Sequence, residues 1–132
     1  MIKWFEKLKN KKTLKFINFD ICEFYPSITP ELLTKAVNFA EKHISISKLE
    51  KESIFEARKC FLFSDSKSWA KRNNPDFDVT MGAWDGAECC ELVGLYMLDR
   101  LKILGLNIGL YRDDGLGVCN STNRQLENIK KQ

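Results

Sequence analysis

Apolar residues are crowded from Thr13 to Asp20, where Leu14, Phe16, Ile17 and Phe19 lead into a carboxylate, and this density predicts a buried strand ending at Asp20. After it, Thr29-Pro30-Glu31 carries the signs of a helix start: an N-cap hydroxyl, proline at the first helical position and an acid in the first turn. Leu32, Leu33, Ala36, Val37 and Ala40 then recur at helical spacing to about His43. Ser47 with Glu50 forms a capping box that opens a second helix, expected to reach about Arg58. Residues 60–63 and 68–72 flank Ser64-Asp65-Ser66-Lys67 as a hairpin. Asn73-Asn74-Pro75 is a loop, and residues 77–81 are expected to form a short strand.

A long apolar-rich helix is predicted from about Ala87 to Lys102, with Leu92, Val93, Leu95, Met97 and Leu98 in the core and Gly105 closing it. Residues 108–111 and 116–118 read as two strands joined across Arg112-Asp113-Asp114-Gly115. Thr122 with Gln125 opens a last helix. With the hairpin at residues 60–72 set aside, the order approaches a β-α-β-β-α arrangement, an α+β fold with an antiparallel sheet and helices on one face. If the strands at Asp20 and Asp113 are neighbours, these carboxylates meet at one rim.

The 132 residues suffice for one domain and a single core. Hydrophobic residues make up 44% and charged residues 30%, an ordinary globular composition that argues against disorder. The net charge is only +3, but Lys3, Lys7, Lys9, Lys11, Lys12 and Lys15 crowd the first fifteen residues. That cluster suits phosphate, and equally a solvated charged face. Five cysteines without a C-x-x-C pair, and a single His43 with no cysteine at ligand spacing, speak against structural zinc. The odd count suggests reduced thiols in an intracellular protein, nuclear or cytoplasmic, with the cysteines serving as small core residues. No apolar stretch approaches the roughly 20 residues of a membrane span.

Taken alone, Asp113-Asp114-Gly115 is ordinary turn chemistry. Adjacent aspartates repel, however, and a site that gathers carboxylates on rigid strand ends suits two Mg²⁺ ions in phosphoryl transfer.

Three segments give that chemistry a context. Phe19-Asp20-Ile21-Cys22-Glu23-Phe24-Tyr25-Pro26-Ser27-Ile28 resembles the first catalytic motif of reverse transcriptases, in which an apolar strand ends in Asp with an aromatic five positions later. Met81-Gly82, followed by the helix bearing Glu91 and Leu92, resembles the glycine-led middle motif. Tyr111-Arg112-Asp113-Asp114 between Leu110 and Leu116 is similar to the Tyr-x-Asp-Asp box. The three lie in the family's order and cover residues 14–118.

The resemblance implies an RNA-directed DNA polymerase of a retroelement, here its ferredoxin-like palm, cut short at both ends. Residues 1–12 would be a stub of the fingers, and the thumb would be absent. By the same resemblance Asp20 and Asp113 bind two Mg²⁺ ions, for which Mn²⁺ can substitute, with Asp114 as the neighbouring carboxylate. Tyr25 closes the sugar pocket against a 2′-hydroxyl, and Gly82 lies under the template base and incoming nucleotide. The implied partners are a primed RNA or DNA template and deoxynucleoside triphosphates. Many relatives carry Ser-Pro before the middle helix, where this chain reads Ala83-Trp84-Asp85-Gly86-Ala87. Two other readings fit parts of the pattern. One is a palm-type nucleotide cyclase, which should carry Gly-Gly-acid in the turn. The other is a non-catalytic remnant that binds nucleic acid.

Overall fold

The computed structural model describes residues 2–70, 72, 76–103 and 107–119. A short helix α1 (Ile2–Lys7) and a 3-10 turn (Lys11–Thr13) lead into strand β1 (Lys15–Asp20). One helical turn, α2 (Phe24–Ser27), follows, and then α3 (Pro30–Ala40) and α4 (Lys48–Glu56). A hairpin, β2 (Leu62–Ser64) and β3 (Lys67–Trp69), precedes the long helix α5 (Gly86–Ile103) and a second hairpin, β4 (Asn107–Tyr111) and β5 (Asp114–Cys119). The fold is α+β with antiparallel sheets, as the sequence pattern predicts.

Local chemistry accounts for the helix starts. The Thr29 hydroxyl accepts from the Leu32 amide at 3.2 Å, with Pro30 in the first turn. At Ser47 the capping box is complete: its hydroxyl accepts from the Glu50 amide, while the Glu50 carboxylate accepts from the Ser47 amide at 2.7 Å. Each cap of this kind stabilises its helix by about 1 kcal/mol. The Ser47 hydroxyl also donates to the Glu50 carboxylate at 2.7 Å, and this bond together with the one from the Ser47 amide holds the Glu50 carboxyl below its ordinary pKa.

Strand order in the main sheet is β1-β5-β4, all antiparallel, so β5 is central. Directly opposed residues share a face. One face therefore carries Ile17 and Phe19 of β1, Gly115 and Gly117 of β5, and Ile108 and Leu110 of β4. This face meets α5: a Cβ placed on Gly94 would stand 3.2 Å from Leu110. Behind α5 lies the core, where Leu33, Ala36 and Val37 of α3 pack with Cys89, Cys90 and Val93 of α5, together with Phe24, Ile28 and Val79.

Several expectations need correction. Strand β1 is an edge strand with one face toward the helices, so Phe16 is exposed and only Ile17 and Phe19 are half-buried. Residues 77–81 do not form a strand. The Asp78 amide donates to the Arg58 carbonyl at the end of α4, 2.9 Å away, so that backbone is tied to a helix end and not to a sheet. Leu95 is exposed, since α5 turns Val93 and Gly94 inward. Of the cysteines, Cys89, Cys90 and Cys119 are buried, but Cys22 is exposed and Cys60 half-buried, and all five are free thiols. The first hairpin turns through Asp65 and Ser66 alone, both at positive φ, so Ser64 and Lys67 pair within the strands, which are three residues each. Gly105, the loop at 73–75, Lys71 and the helix from Thr122 lie outside the described residues. Among the described residues, no helix is long and apolar enough to cross a membrane.

Candidate active site at the aspartate rim

Strand pairing brings the aspartates together. Asp20, the last residue of β1, stands directly opposite Asp114, the first residue of β5, and Asp114 in turn stands opposite Tyr111 of β4. Opposed residues hold their Cβ atoms about 5 Å apart. Asp113 occupies the turn between, and its carbonyl accepts from the Ile21 amide at 2.9 Å, which extends the β1–β5 ladder past both aspartates. All three aspartates are exposed. Like charges set directly across a ladder destabilise it, so this end of the sheet is not arranged for stability.

Arg112, the first residue of the two-residue turn, has φ 55°. That left-handed position is one glycine or asparagine normally fills in a tight hairpin. A side chain held there marks a turn whose sequence serves something besides folding. The Arg112 guanidinium lies over the Tyr111 ring, 5.7 Å from its centroid, and so sets a cation beside the aspartates.

Tyr25 sits on α2, the one-turn helix absent from the sequence pattern. Phe24 beside it is buried, while Tyr25 itself is half-buried against the core. Its hydroxyl donates to the Cys90 thiol of α5, within electrostatic reach of Arg112 and Asp113. Burial raises the Tyr25 pKa above its ordinary value, with Cys90 and Asp113 adding to the rise and Arg112 opposing it. Burial likewise pushes the Cys90 thiol up to about 11. Tyr25 and Asp113 thus share one environment.

Gly82 lies in an exposed turn ahead of α5. Its φ of 88° requires glycine, and a Cβ there would meet nothing within 4 Å. The structure therefore gives Gly82 a conformational role and open space around it.

Among the described residues, no group of three His, Cys, Asp or Glu side chains closes around a metal position. The donor set still suits Mg²⁺, which takes one or two carboxylates and completes its shell with water and phosphate oxygens. A groove lined by residues 107–111 and 114–116 of the hairpin, Tyr111 and Asp114 among them, reaches the rim. Arg112 and Cys90 were not singled out by sequence reasoning. A charged residue in the first turn position was a usable signal for Arg112. Cys90 carries none, because in sequence it is one more small apolar residue of a helix. No known protein family, characterised protein or solved structure matches the chain.

Proposed function

We propose that this chain is the ferredoxin-like palm of a retroelement reverse transcriptase, acting in template-directed DNA synthesis from deoxynucleoside triphosphates. One observation carries the reading: the β1–β5 register sets Asp20 opposite Asp114, and Asp113, in the β4–β5 turn, is tied to β1 by the Ile21 amide. Three carboxylates at a sheet rim, in the order the sequence resemblance requires, are costly to a fold and useful to a polyphosphate enzyme.

In this reading Asp20 and Asp113 would hold two Mg²⁺ ions, or Mn²⁺, with Asp114 adjacent. The ions, when bound, lower the pKa of the attacking 3′-hydroxyl and neutralise charge on the triphosphate. The protein's own part is placement. The ladder, continued by the Ile21–Asp113 bond, fixes the carboxylates relative to each other before any ligand arrives. Tyr25, hydrogen-bonded to Cys90 and within electrostatic reach of Asp113, would close the sugar pocket against a 2′-substituent on the incoming sugar. The open groove along β4 and β5 offers a path for a nucleic-acid strand, with the exposed lysines Lys3, Lys7, Lys9 and Lys12 available to phosphate.

The test is primer extension with Mg²⁺ on an RNA template, in a polypeptide where this palm is joined to fingers and thumb. Asp20→Asn and Asp113→Asn should each abolish extension while leaving the circular dichroism spectrum unchanged. Extension at the wild-type rate in either variant overturns the reading.

A further inference from the structure

Past the end of α4, Arg58 is 2% exposed, and its Nη2 pairs with Oδ1 of Asp85. Arginine is almost never this buried without a partner. Its Nε finds no hydrogen-bond partner among the described residues, so Asp85 carries the neutralisation through one edge of the guanidinium. Only Arg58 is buried, the Asp85 side chain being 36% exposed, and even fully buried pairs contribute little net stability, since apolar residues of equal volume do as well or better. What they supply is direction.

The direction is set on a turn. The Arg58 carbonyl accepts from the Asp78 amide at 2.9 Å, and the Asp85 carbonyl accepts from the Cys89 amide at 3.1 Å. Between these two anchors the chain folds through Thr80–Gly86, closed by Ala83 amide to Thr80 carbonyl at 3.1 Å and Gly86 amide to Ala83 carbonyl at 3.2 Å. That turn carries Gly82 at its left-handed φ and Trp84, which is 98% exposed. An indole so exposed gains nothing from the fold, yet its backbone is held at both ends. On α5, Cys89 lies within electrostatic reach of both Arg58 and Asp85, and the next residue, Cys90, accepts from Tyr25. The ion pair is therefore one residue removed from the side chain that backs the site.

We infer that Arg58 is a positioning residue: through Asp85 it fixes the Thr80–Gly86 turn and the start of α5, so that a nucleotide meets Gly82, Trp84 and Tyr25 in one preset arrangement. The consequence for nucleotides rests on the polymerase reading; the mechanical coupling does not. Local and global effects separate in amide hydrogen exchange.

The whole chain is measured as wild type, Arg58→Lys, Arg58→Met and the double variant Arg58→Met/Asp85→Leu. In both single variants, exchange at Ala83, Gly86 and Cys89 should accelerate at least tenfold more than at Val37 and Val93 of the core. The double variant should return Val37 to its wild-type rate and leave Ala83 and Gly86 fast. Equal acceleration at all these amides would make the pair a simple brace and overturn the inference. In primer extension, run in a polypeptide where this palm is joined to fingers and thumb, Arg58→Lys should raise KM for the deoxynucleotide at least fivefold with kcat within twofold. An unmoved KM beside a loosened turn overturns the nucleotide consequence. Absence of extension by the wild-type protein counts against the polymerase reading alone, because the exchange experiment decides the coupling without it.

Discussion

Phe19 and Gly115 face each other across β1 and β5, each one residue from a rim aspartate, which makes Gly115→Ala a sharp probe of how the rim is held. The Phe19 ring lies on the Gly115 backbone. An alanine Cβ there would stand 2.5 Å from Cε1 and Cε2 of the ring and closer still to Cζ. No neighbour can absorb an overlap of that size without the ring swinging away from the sheet. Overpacking of this kind costs roughly 1–3 kcal/mol, and we expect about 2. For a chain of this length that is a fall in Tm of roughly 6–10 °C. Phe19→Leu removes the ε and ζ carbons, so in that background Gly115→Ala should cost nothing, or gain about 0.5 kcal/mol from the stiffer unfolded chain. The assay is urea unfolding of the wild type, both single variants and the double variant, read as a double-mutant cycle. A coupling energy near 2 kcal/mol supports the geometry. An equal cost of Gly115→Ala in both backgrounds refutes it.

Two further expectations follow from the same site. Tyr25→Val should admit ribonucleotides and lower the deoxy-to-ribo preference in primer extension, because exclusion of the 2′-hydroxyl works by clash; an unchanged ratio would return Tyr25 to the core. Burial raises the Cys90 thiol from 9.0 to about 11, so its contribution is intact below pH 9 and is lost as pH rises through 11. The stability advantage of wild type over Cys90→Ala should therefore shrink by about 2 kcal/mol between pH 8 and pH 10.5 in urea titrations, and parallel decline of the two proteins would show that Cys90 is not responsible.

How much of this was legible in the sequence differs by element. Caps write themselves locally, so Thr29 and Ser47 located α3 and α4 closely. Strand residues on either side of the aspartates located β4 and β5, but the expected four-residue link Arg112–Gly115 is a two-residue turn, Arg112-Asp113, so Asp114 and Gly115 belong to β5 and the register is tighter than the pattern implied. Pairing of β1 with β5 is long-range, and the sequence offered it only as a condition, which the register then met. The one-turn helix α2 escaped notice because Pro26 sits within it and four residues show no period. Residues 77–81 look like a strand in isolation, but their hydrogen bonding goes to the end of α4. The Arg58–Asp85 pair was invisible for a related reason: between Ala57 and Lys59, an arginine reads as part of a solvated helix end until the fold buries it.

The central claim is that Asp20, Asp113 and Asp114 form one divalent-metal site that engages a nucleoside triphosphate. Manganese tests it most directly. With the ¹⁵N-labelled chain and one deoxynucleoside triphosphate present, substoichiometric Mn²⁺ should first broaden the amide signals of Asp20, Ile21, Arg112, Asp113 and Asp114, and Asp113→Asn should abolish that broadening. If instead the signals around Glu41, Glu50 or Glu56 broadened first, or the rim signals broadened equally in Asp113→Asn, the aspartate rim would not be the metal site.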